Sequence, residues 1–275
     1  MRRKSLDYAP EGSQLAGYDP QVEAFLQRDL LSNVIILKTL AAYSNAMQVH
    51  YEVTGSDAGV LALLPTPVSP FDYAMYPTAD FVVLLAATQP QLVQALLPHI
   101  PTGANLVFKL TDPMIRAVIE QAFRLTRLTA YVSYTAQAGQ SFAPATHVRV
   151  AAHLDERCLD LFTAQGQTRG EVQQAFARAD TLLFTVEQPD PVAVCFTYQN
   201  FANIYEIGGL YTVPEARRQG YARSLVETAL YTLSRRQLIP RYAVKETNLP
   251  SIRLAEALGL RPFVTMEHWW RPGGP

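Results

Sequence analysis

Hydrophobic positions in the second half of the chain recur with two periods, which separates candidate strands from candidate helices. Alternating or continuous apolar runs bounded by turn residues predict strands, and apolar residues three and four apart predict helices. The expected strands cover 147–151, 181–187, 191–198, 204–213, 241–245 and 263–270, and the expected helices cover 154–162, 171–178, 218–234 and 251–258. Strands that alternate with helices in this way predict a mixed α/β sheet structure.

The first half of the chain repeats part of this order. Helices are expected over 20–42, 89–97 and 112–123, and strands over 48–54, 59–65, 81–86, 106–110 and 129–134. The shared order predicts a tandem of two related α/β domains, with a coincidental arrangement as the alternative. The segment 136–145 is small, polar and uncharged, as linkers are, so we place the domains at 1–138 and 146–275.

The segment 210–222 carries the strongest chemical signal. An apolar strand ends at Val213, a Pro-Glu turn follows, and Arg217-Arg218-Gln219-Gly220-Tyr221-Ala222 opens the next helix. The first N–H groups of a helix lack internal partners and carry partial positive charge, so this position favours an anion. Gly220 and Ala222 keep bulky side chains away, which predicts a phosphate-binding turn for a nucleotide-like cofactor.

Two familiar phosphate loops do not fit this segment, which lacks the Gly-Lys-Ser/Thr ending of the P-loop and the three spaced glycines of the dinucleotide fingerprint. Its Arg217, Gly220 and Ala222 resemble instead the Arg/Gln-x-x-Gly-x-Gly/Ala signature of the GNAT superfamily of acyl-CoA-dependent N-acyltransferases. The resemblance covers most of 203–270 and includes Glu206-Ile207-Gly208-Gly209, Asn248-Leu249-Pro250-Ser251, Leu254 and Gly259-Leu260. An ordinary strand, turn and capped helix is the alternative.

The resemblance implies an acetyl-CoA site in the second domain. In this family the pantetheine arm lies like an added strand beside the strand that precedes the turn, and the pyrophosphate lies on the helix start. The residues implied in cofactor binding are Leu210, Tyr211, Thr212, Arg217, Arg218, Gln219, Gly220, Tyr221, Ala222, Asn248 and Ser251. Gly208-Gly209 suits a bulge that separates this strand from its parallel neighbour, because glycine tolerates irregular backbone. Asn248 also suits the N-cap of the following helix.

The corresponding turn of the first domain is Ala87-Thr88-Gln89-Pro90, which contains neither arginine nor glycine. A related fold can keep its architecture and lose a binding site, because function depends on the site residues. We therefore expect the first domain to be a degenerate copy that does not bind CoA.

Acyl transfer to an amine needs a base for the amine, donors for the oxyanion and an acid for the leaving thiolate. Glu206 lies eleven residues before the signature arginine, at the spacing where several members of the family carry a glutamate base. A solvated charge on an outward strand face is the alternative for Glu206. The family's usual tyrosine acid falls on Ala255, so three possibilities stay open. Tyr221, Tyr242 or His268 acts instead, the thiolate leaves unassisted, or the domain is inactive.

Composition and charge argue against several other classes of function. The 275 residues are 49% hydrophobic and 17% charged, as globular proteins are, and a net charge of −1 does not supply the positive field that nucleic acid needs. The apolar run at 30–37 is too short to span a membrane, and no secretory leader follows the basic start, so we expect a cytoplasmic protein. Cys158 and Cys195 are expected to be reduced and buried. The histidines lack metal-ligand spacing, so no metal is expected.

These features predict an acetyl-CoA-dependent N-acetyltransferase that transfers an acetyl group to a primary amine by direct attack. Glu206 is the expected base and Tyr221 a candidate acid, whereas covalent catalysis through Cys195 is not expected because nothing nearby in sequence would lower its pKa. The alternative is an acyl-CoA-binding or partner-binding module without turnover, which Ala255 keeps open. The sequence does not determine whether the acceptor is a small molecule or a peptide, the acyl chain length or the oligomeric state.

Overall fold

The computed structural model describes residues 20–178 and 180–274. The contacts among them divide into two compact units, one formed by 20–128 with 267–274 and the other by 129–266. In each unit helices pack on a sheet that contains both parallel and antiparallel pairs. The predicted mixed α/β fold is therefore confirmed.

The first unit begins with two helices and then alternates strands and helices. Its helices are α1 (Pro20–Gln27), α2 (Val34–Tyr43), α3 (Pro70–Met75), α4 (Pro90–Leu96) and α5 (Pro113–Ala122), and its strands are β1 (Gln48–Thr54), β2 (Asp57–Pro65), β3 (Phe81–Ala87) and β4 (Leu106–Leu110). Strands β1, β2 and β3 are antiparallel neighbours, β4 lies parallel to β3, and residues 267–271 lie antiparallel to β4. The core packs α4 and α5 on this sheet around Leu61, Val83, Phe108, Val93 and Ile119.

Two local features of the first unit differ from the sequence prediction. The expected helix over 20–42 is interrupted, because the side chain of Asp29 accepts from the N–H of Ser32 at 3.0 Å and Asn33 Nδ2 donates to a carbonyl of α1 at 3.0 Å. Helix α3 was not predicted. Its start carries a recognisable signal, since Ser69 caps the helix by accepting from an N–H of the first turn and Pro70 follows directly.

The second unit starts within β5 (Thr126–Thr135). Its further helices are α6 (Leu159–Gln165), α7 (Arg169–Phe176), α8 (Tyr221–Arg235) and α9 (Leu249–Ala257), and its further strands are β6 (Arg149–Ala151), β7 (Leu182–Glu187), β8 (Pro191–Phe201), β9 (Ile204–Thr212), β10 (Ile239–Lys245) and β11 (Arg261–Arg271). The last residues of β11 belong to the first unit. In the sheet the order is β6-β7-β8-β9-β10-β5, and β9 with β10 is the parallel pair.

Two apolar clusters cover the two faces of this sheet. On one face the helical spacing predicted for α8 places Leu225, Val226, Ala229 and Leu230 against the strands, together with α9. On the other face the side chains of α6 and α7, among them Phe162 and Val172, pack against β7 and β8. Strand β9 lies between β8 and β10, and the core side chains of these two strands hold them in place on either side of it.

The predicted linker belongs to the second unit. Gln137 and Gln140 donate from their side chains to the carbonyls of Gly259 and Leu258 at 3.1 and 2.7 Å, and the N–H of Ala145 donates to Thr228 Oγ1 at 3.0 Å. The polar composition that indicated a linker therefore supplies hydrogen bonds to the ends of helices. The assignment of domains to 1–138 and 146–275 stays a prediction, and the compact units divide the chain at 128 and 266.

Candidate functional site

Strand β9 carries a bulge where the sequence places two glycines. In its pairing with β8, Val194 lies opposite Tyr211 and Phe196 lies opposite Gly208, so β9 has one more residue than β8 across this step. Gly209 has a φ of +62°, and a Cβ at this position would lie 2.5 Å from the Phe196 ring. Glycine alone fits both this backbone conformation and this space. The predicted bulge is confirmed.

Beyond the bulge, one edge of β9 is open. Parallel pairing with β10 covers 204–206, and for 207–212 the described pairing shows neighbours on β8 alone. A strand edge without a partner presents N–H and C=O groups that an extended chain can bind. Leu210, Tyr211 and Thr212 offer their backbone on this edge, as a ligand-binding strand requires.

A compact turn carries the chain from β9 to α8. Pro214–Ala216 forms one 3-10 turn, and the backbone then has positive φ at Arg218 (+62°) and Gly220 (+83°). Gly220 is the N-cap of α8, and a Cβ at Gly220 would meet open space. Backbone conformation is therefore what requires glycine here, since the left-handed region is costly for other residues. This requirement differs from the predicted one, which was space for a phosphate.

The start of α8 is suited to an anion. The helix is 15 residues long and has no side-chain cap, so the N–H groups of its first turn, from Tyr221 onward, are left for another acceptor. The exposed Arg217 lies beside this turn, where its Nε donates to the Thr212 carbonyl at 3.1 Å and its guanidinium lies 5.9 Å from the Tyr211 ring centroid. Through these contacts Arg217, in the predicted phosphate-binding turn, packs directly against the residues of the open edge of β9.

Tyr221 belongs to this turn. Its hydroxyl donates to Gln219 Oε1 at 2.9 Å and accepts from Gln188 Nε2, and its ring meets the His147 ring edge-on at 5.9 Å. Within the described residues, the side chain of Glu206 bonds instead to residues of β8 and β10. The two side chains that the sequence named as catalytic are therefore not in contact with each other.

Glu206 is the last residue of β9 that pairs with β10, and its side chain is buried. Glu206 is 6% exposed and Arg241 is 4% exposed, and the Arg241 guanidinium donates to Glu206 Oε2. Oε2 also accepts from Asn200 Nδ2 at 2.6 Å, and Oε1 accepts from the N–H of Ala243 at 3.3 Å. The alternative of a solvated surface charge is wrong, because Glu206 is a buried, ion-paired carboxylate.

The residues that hold this carboxylate were not predicted from the sequence. Arg241 lies 35 positions from Glu206, and the parallel register between β9 and β10 is what places it opposite. Ser133 on β5 then accepts from a second Arg241 nitrogen at 2.9 Å. No local motif predicts such a pairing. The available signal was an arginine within an apolar strand, since a buried arginine needs a charged or polar partner.

The start of α9 supplies Asn248 and Ser251 in two different ways. Asn248 caps the helix, with Oδ1 accepting from the N–H of Ser251 at 3.3 Å, so the predicted N-cap is confirmed. Burial raises the pKa of Tyr242 on β10 to about 12, and the nearby Ser251 side chain acts in the opposite direction. Ala255 is fully buried in the same apolar cluster as Tyr242, so α9 contributes a methyl group at this place.

The cysteine and histidine candidates lie in the cores. Cys158 and Cys195 are free, buried thiols, as predicted, and burial raises the pKa of Cys158 to about 12 and shifts the pKa of Cys195 in the same direction. His268 belongs to the first unit, where its Nδ1 hydrogen-bonds the Tyr76 hydroxyl. Burial, and then the charge of Lys109, lower the pKa of His268 to about 3.

Within 20–178 and 180–274, no three histidine, cysteine, aspartate or glutamate side chains are grouped so that they could hold a metal ion. The helices in these ranges do not combine the length and the apolar character that crossing a bilayer requires.

One protein family matches the part of the chain that contains this site. Residues 151–260 match the sequence profile of the acetyltransferase (GNAT) family. The matched segment includes the bulged strand, the turn before α8 and the capped start of α9. No curated protein sequence matches the chain at a significant level.

Solved structures extend the similarity to both units. A Drosophila protein aligns with a TM-score of 0.61 and 12% identity over 94% of this chain and 98% of its own. A GNAT-family acetyltransferase from Colwellia psychrerythraea aligns with a TM-score of 0.56 and 10% identity over 88% and 97%. A tandem GNAT protein from the clavulanic acid biosynthesis pathway aligns with a TM-score of 0.52 and 14% identity over 94% and 97%. At these identities the structures show the fold alone, and they confirm the predicted tandem arrangement. The degeneracy of the first domain stays a prediction.

Proposed function

We propose that this chain is an acetyl-CoA-dependent N-acetyltransferase that acts on a primary amine, since residues 151–260 match the GNAT acetyltransferase family. The observation that carries the proposal is the open edge of β9, which bulges at Gly209 and leads through one turn into the start of α8. An extended thioester arm suits a strand edge, and a pyrophosphate suits a helix N-terminus. Both features lie on one continuous segment, 208–222.

We assign cofactor binding to this segment. The backbone of Leu210, Tyr211 and Thr212 would pair with the amides of the pantetheine arm, and the pyrophosphate would lie among Arg217, Arg218, Gln219, Gly220, Tyr221 and Ala222. The side chain of Asn248 already accepts from the N–H of Ser251, so we assign these two residues the role of shaping the start of α9 beside the cofactor.

The reaction follows from this placement. The amine nitrogen attacks the thioester carbon, and the new C–N bond gives a tetrahedral intermediate with a negative oxygen. A bulge leaves one residue out of the strand ladder, and the N–H groups near Leu210 can stabilise that oxygen. Collapse breaks the C–S bond and releases CoA thiolate. The attacking nitrogen loses a proton to the base, so that the products are an amide and CoA.

Glu206 is the base in this proposal, and the structure favours one of its two oxygens. Oε2 is held by Arg241 and Asn200, whereas Oε1 accepts from one backbone N–H at 3.3 Å. A carboxylate oxygen can accept two hydrogen bonds, so Oε1 can take a further one from a water molecule. Because Glu206 is buried, we propose that the proton reaches it through water.

Among the candidate acids, Tyr242 is the one that we propose for the thiolate. It lies on β10 directly after the last pair with β9, and it shares a cluster with Ala255, where the family's usual tyrosine falls. With a pKa of about 12, Tyr242 keeps its proton at neutral pH and serves as a hydrogen-bond donor to the departing sulfur. Tyr221 is instead assigned to the pyrophosphate.

Calorimetric titration with acetyl-CoA and with CoA tests the site. We expect micromolar binding by the natural chain and its loss in the variant Arg217→Ala with Gly220→Asp, which removes a cation and adds an anion at the turn. Arg236→Ala, at the exposed opposite end of α8, is the matched control and should bind normally. CoA release in the presence of a panel of primary amines then measures transfer. Binding lost equally in the control variant would remove the turn from the proposal.

Ala255 favours one second candidate, a module that binds acyl-CoA without turnover. The residue is fully buried, so the helix offers no proton donor there. Tight acetyl-CoA binding with no CoA release for any amine, together with no effect of Tyr242→Phe on binding, would favour this module. A loss of kcat in Tyr242→Phe at unchanged acetyl-CoA affinity would favour the enzyme.

A further inference from the structure

One buried polar atom beside the bulge of β9 has no partner. Gln167 Oε1 is enclosed by protein and accepts no hydrogen bond from any residue in the described ranges. It lies next to the bulge, since a Cβ on Gly209 would be 2.9 Å from this oxygen. A buried amide oxygen without a donor carries an uncompensated desolvation cost, and buried polar groups in folded proteins nearly always have a partner. The atom therefore needs an explanation.

The chain holds Gln167 firmly at this place. It follows Gly166, the C-cap of α6, which has a φ of +108°, and its own N–H donates to the Phe162 carbonyl at 3.1 Å. The next residue, Thr168, starts α7 and forms a capping box with Glu171. A helix end on one side and a helix start on the other leave the backbone of Gln167 little freedom. The junction of α6 and α7 therefore fixes the backbone position from which the Gln167 side chain reaches the bulge.

Gln167 and Glu206 approach the bulge from the same face of the sheet. Phe196, which lies against the bulge, packs in the apolar cluster of α6 and α7, and Tyr198 packs against the same cluster. Tyr198 is opposite Glu206 in the ladder of β8 and β9, and paired residues point to the same side. A Cβ at Gly208 would lie 3.5 Å from the Tyr198 ring and 4.0 Å from Glu206 Cγ. Two hydrogen-bond acceptors, a carbonyl and a carboxylate, thus flank the bulge on one face.

We propose that Gln167 Oε1 accepts a hydrogen bond from an N–H of the acceptor amine and thereby orients the attacking nitrogen. The inference rests on the proposed function, because it names the group that binds the substrate of that reaction. A primary amine carries two N–H groups in its neutral form. One can bond Gln167 while the other faces the water that leads to Glu206, and the lone pair then points at the thioester carbon.

The N–H could also come from an amide of the cofactor arm, which offers the same chemistry. In the proposed site the arm would follow the edge of β9 in the plane of the sheet, whereas Gln167 lies beside the bulge with Phe196, on the face that α6 and α7 cover. The geometry therefore favours the amine, and separate measurements on the two ligands distinguish the sources.

The test is Gln167→Met, which keeps the length of the side chain and removes the acceptor atom. We expect the KM for the amine to rise about tenfold, the loss expected for one hydrogen bond of roughly 1.4 kcal/mol. The Kd for acetyl-CoA should stay within about twofold, and the melting temperature should hold or rise, because a buried unpaired oxygen has been removed. Gln167→Glu keeps an acceptor oxygen and should restore most of the amine affinity. Gln165→Met, at the exposed end of α6, is the control and should change neither constant.

Each outcome decides between the two ideas. If the natural chain transfers acetyl groups and Gln167→Met has an unchanged KM, the inference fails and the proposed function stands. If the Kd for acetyl-CoA weakens while the KM for the amine does not, the partner of Gln167 is the cofactor and the inference is wrong. If Gln167→Met lowers the melting temperature and alters every constant alike, Gln167 has a structural role only. If the natural chain acetylates no amine, the proposed function fails and the inference fails with it.

Discussion

Strands β3 and β9 have the same kind of neighbours in their respective units. Each pairs antiparallel with the strand before it and parallel with the strand that follows the next helix. β3 pairs with β2 over seven residues without a register shift, whereas β9 gains a residue at Gly209. The helix after β3 starts with Gln89 and Pro90, and the helix after β9 starts behind Arg217 and Gly220.

This difference distinguishes what the fold provides from what the proposed cofactor site requires. Both strands are held by the same sheet topology, so topology alone does not prepare an edge for a ligand. At the start of α4, Pro90 lacks an N–H, and no cation stands in the turn before it. The bulge and the cationic turn distinguish β9 from β3. The turn is the reason for our expectation that the first unit does not bind CoA, and the bulge adds a second difference in the same direction.

A second comparison concerns buried cations. Lys109 lies opposite Leu84 in the pair of β3 and β4, and Arg241 lies opposite Glu206 in the pair of β9 and β10. Lys109 is bonded at 2.5 Å to Asp72, which comes from α3 instead of the neighbouring strand. Each unit therefore buries an ion pair that includes a residue of the parallel strand, β4 or β10. In the second unit the partner is Glu206 on the neighbouring strand β9, whereas in the first unit it is Asp72 on a helix.

The largest expected effect comes from removing the bulge. In Gly209→Ala the new methyl group meets Phe196 at 2.5 Å while the backbone keeps a positive φ, and the two costs together are on the order of 3–5 kcal/mol. We expect this loss in urea unfolding of the second unit, with acetyl-CoA binding abolished. Gly170→Ala, in the open first turn of α7, is the matched control and should be neutral or slightly stabilising. Native stability and native acetyl-CoA affinity in Gly209→Ala would remove the bulge from the comparison.

The next effect comes from the buried ion pair. Glu206→Gln leaves the charge of Arg241 buried without a counter-ion, so we expect a loss of about 3 kcal/mol in the free energy of unfolding and a large fall in kcat. Asp72→Asn should destabilise the first unit by a similar amount and leave acetyl-CoA affinity unchanged, since Asp72 and its partner Lys109 belong to the first unit and β9 to the second.

A double variant separates the two roles of Glu206. Replacing both partners, with Glu206→Gln and Arg241→Met, removes the unpaired charge and should restore most of the stability. If Glu206 is the base, kcat stays low in this double variant. Recovery of kcat along with stability would show that the residue acts through the ion pair alone.

The third prediction concerns the acid sensitivity of the first unit compared with that of the second. The pKa of His268 is lowered from 6.5 to about 3 in the folded protein. Between these two pH values the imidazole is therefore protonated in the unfolded chain and neutral in the folded protein. The stability that this provides is present above pH 6.5 and declines as the pH falls toward 3, by about 3 kcal/mol at pH 4. Both tryptophans, Trp269 and Trp270, lie in the first unit, so their fluorescence during urea unfolding at about pH 7 and pH 4 reports on it.

His268→Asn keeps a polar partner for Tyr76 and removes the titration. It should be less stable at neutral pH and show a smaller loss on acidification, whereas His153→Asn, at an exposed site of the second unit, should keep the natural pH dependence. An unchanged slope in His268→Asn would assign the acid sensitivity to other groups.

Several features of both units could be predicted from the sequence because their causes are local. The spacing of Leu225, Val226, Ala229 and Leu230 defines the buried face of α8, and the pair Gly208-Gly209 marks the bulge. The Asn248 cap is likewise a short-range signal. The sequence does not predict contacts that depend on the register of parallel strands or on the junctions between helices. Arg241 opposite Glu206 and Gln167 beside Gly209 join segments that carry no shared motif. The interruption at Asp29 is a local feature that the prediction missed. There the hydrogen bonds of the Asp29 and Asn33 side chains end a helix that the spacing of apolar residues had predicted to continue.

The smallest expected effect concerns the N-cap of α8, where the comparison with α4 is sharpest. Gly220→Ala meets no steric obstacle, but it forces a residue with a Cβ into a φ of +83°, so we expect a loss of about 1 kcal/mol and acetyl-CoA affinity weakened about fivefold. Gly220→Asn should lose less on both measures, because asparagine tolerates the left-handed region. Calorimetry with acetyl-CoA and urea unfolding measure the pair. If alanine and asparagine weaken binding equally, the loss comes from the added side chain and not from the backbone, and space for the phosphate becomes the reason for glycine after all.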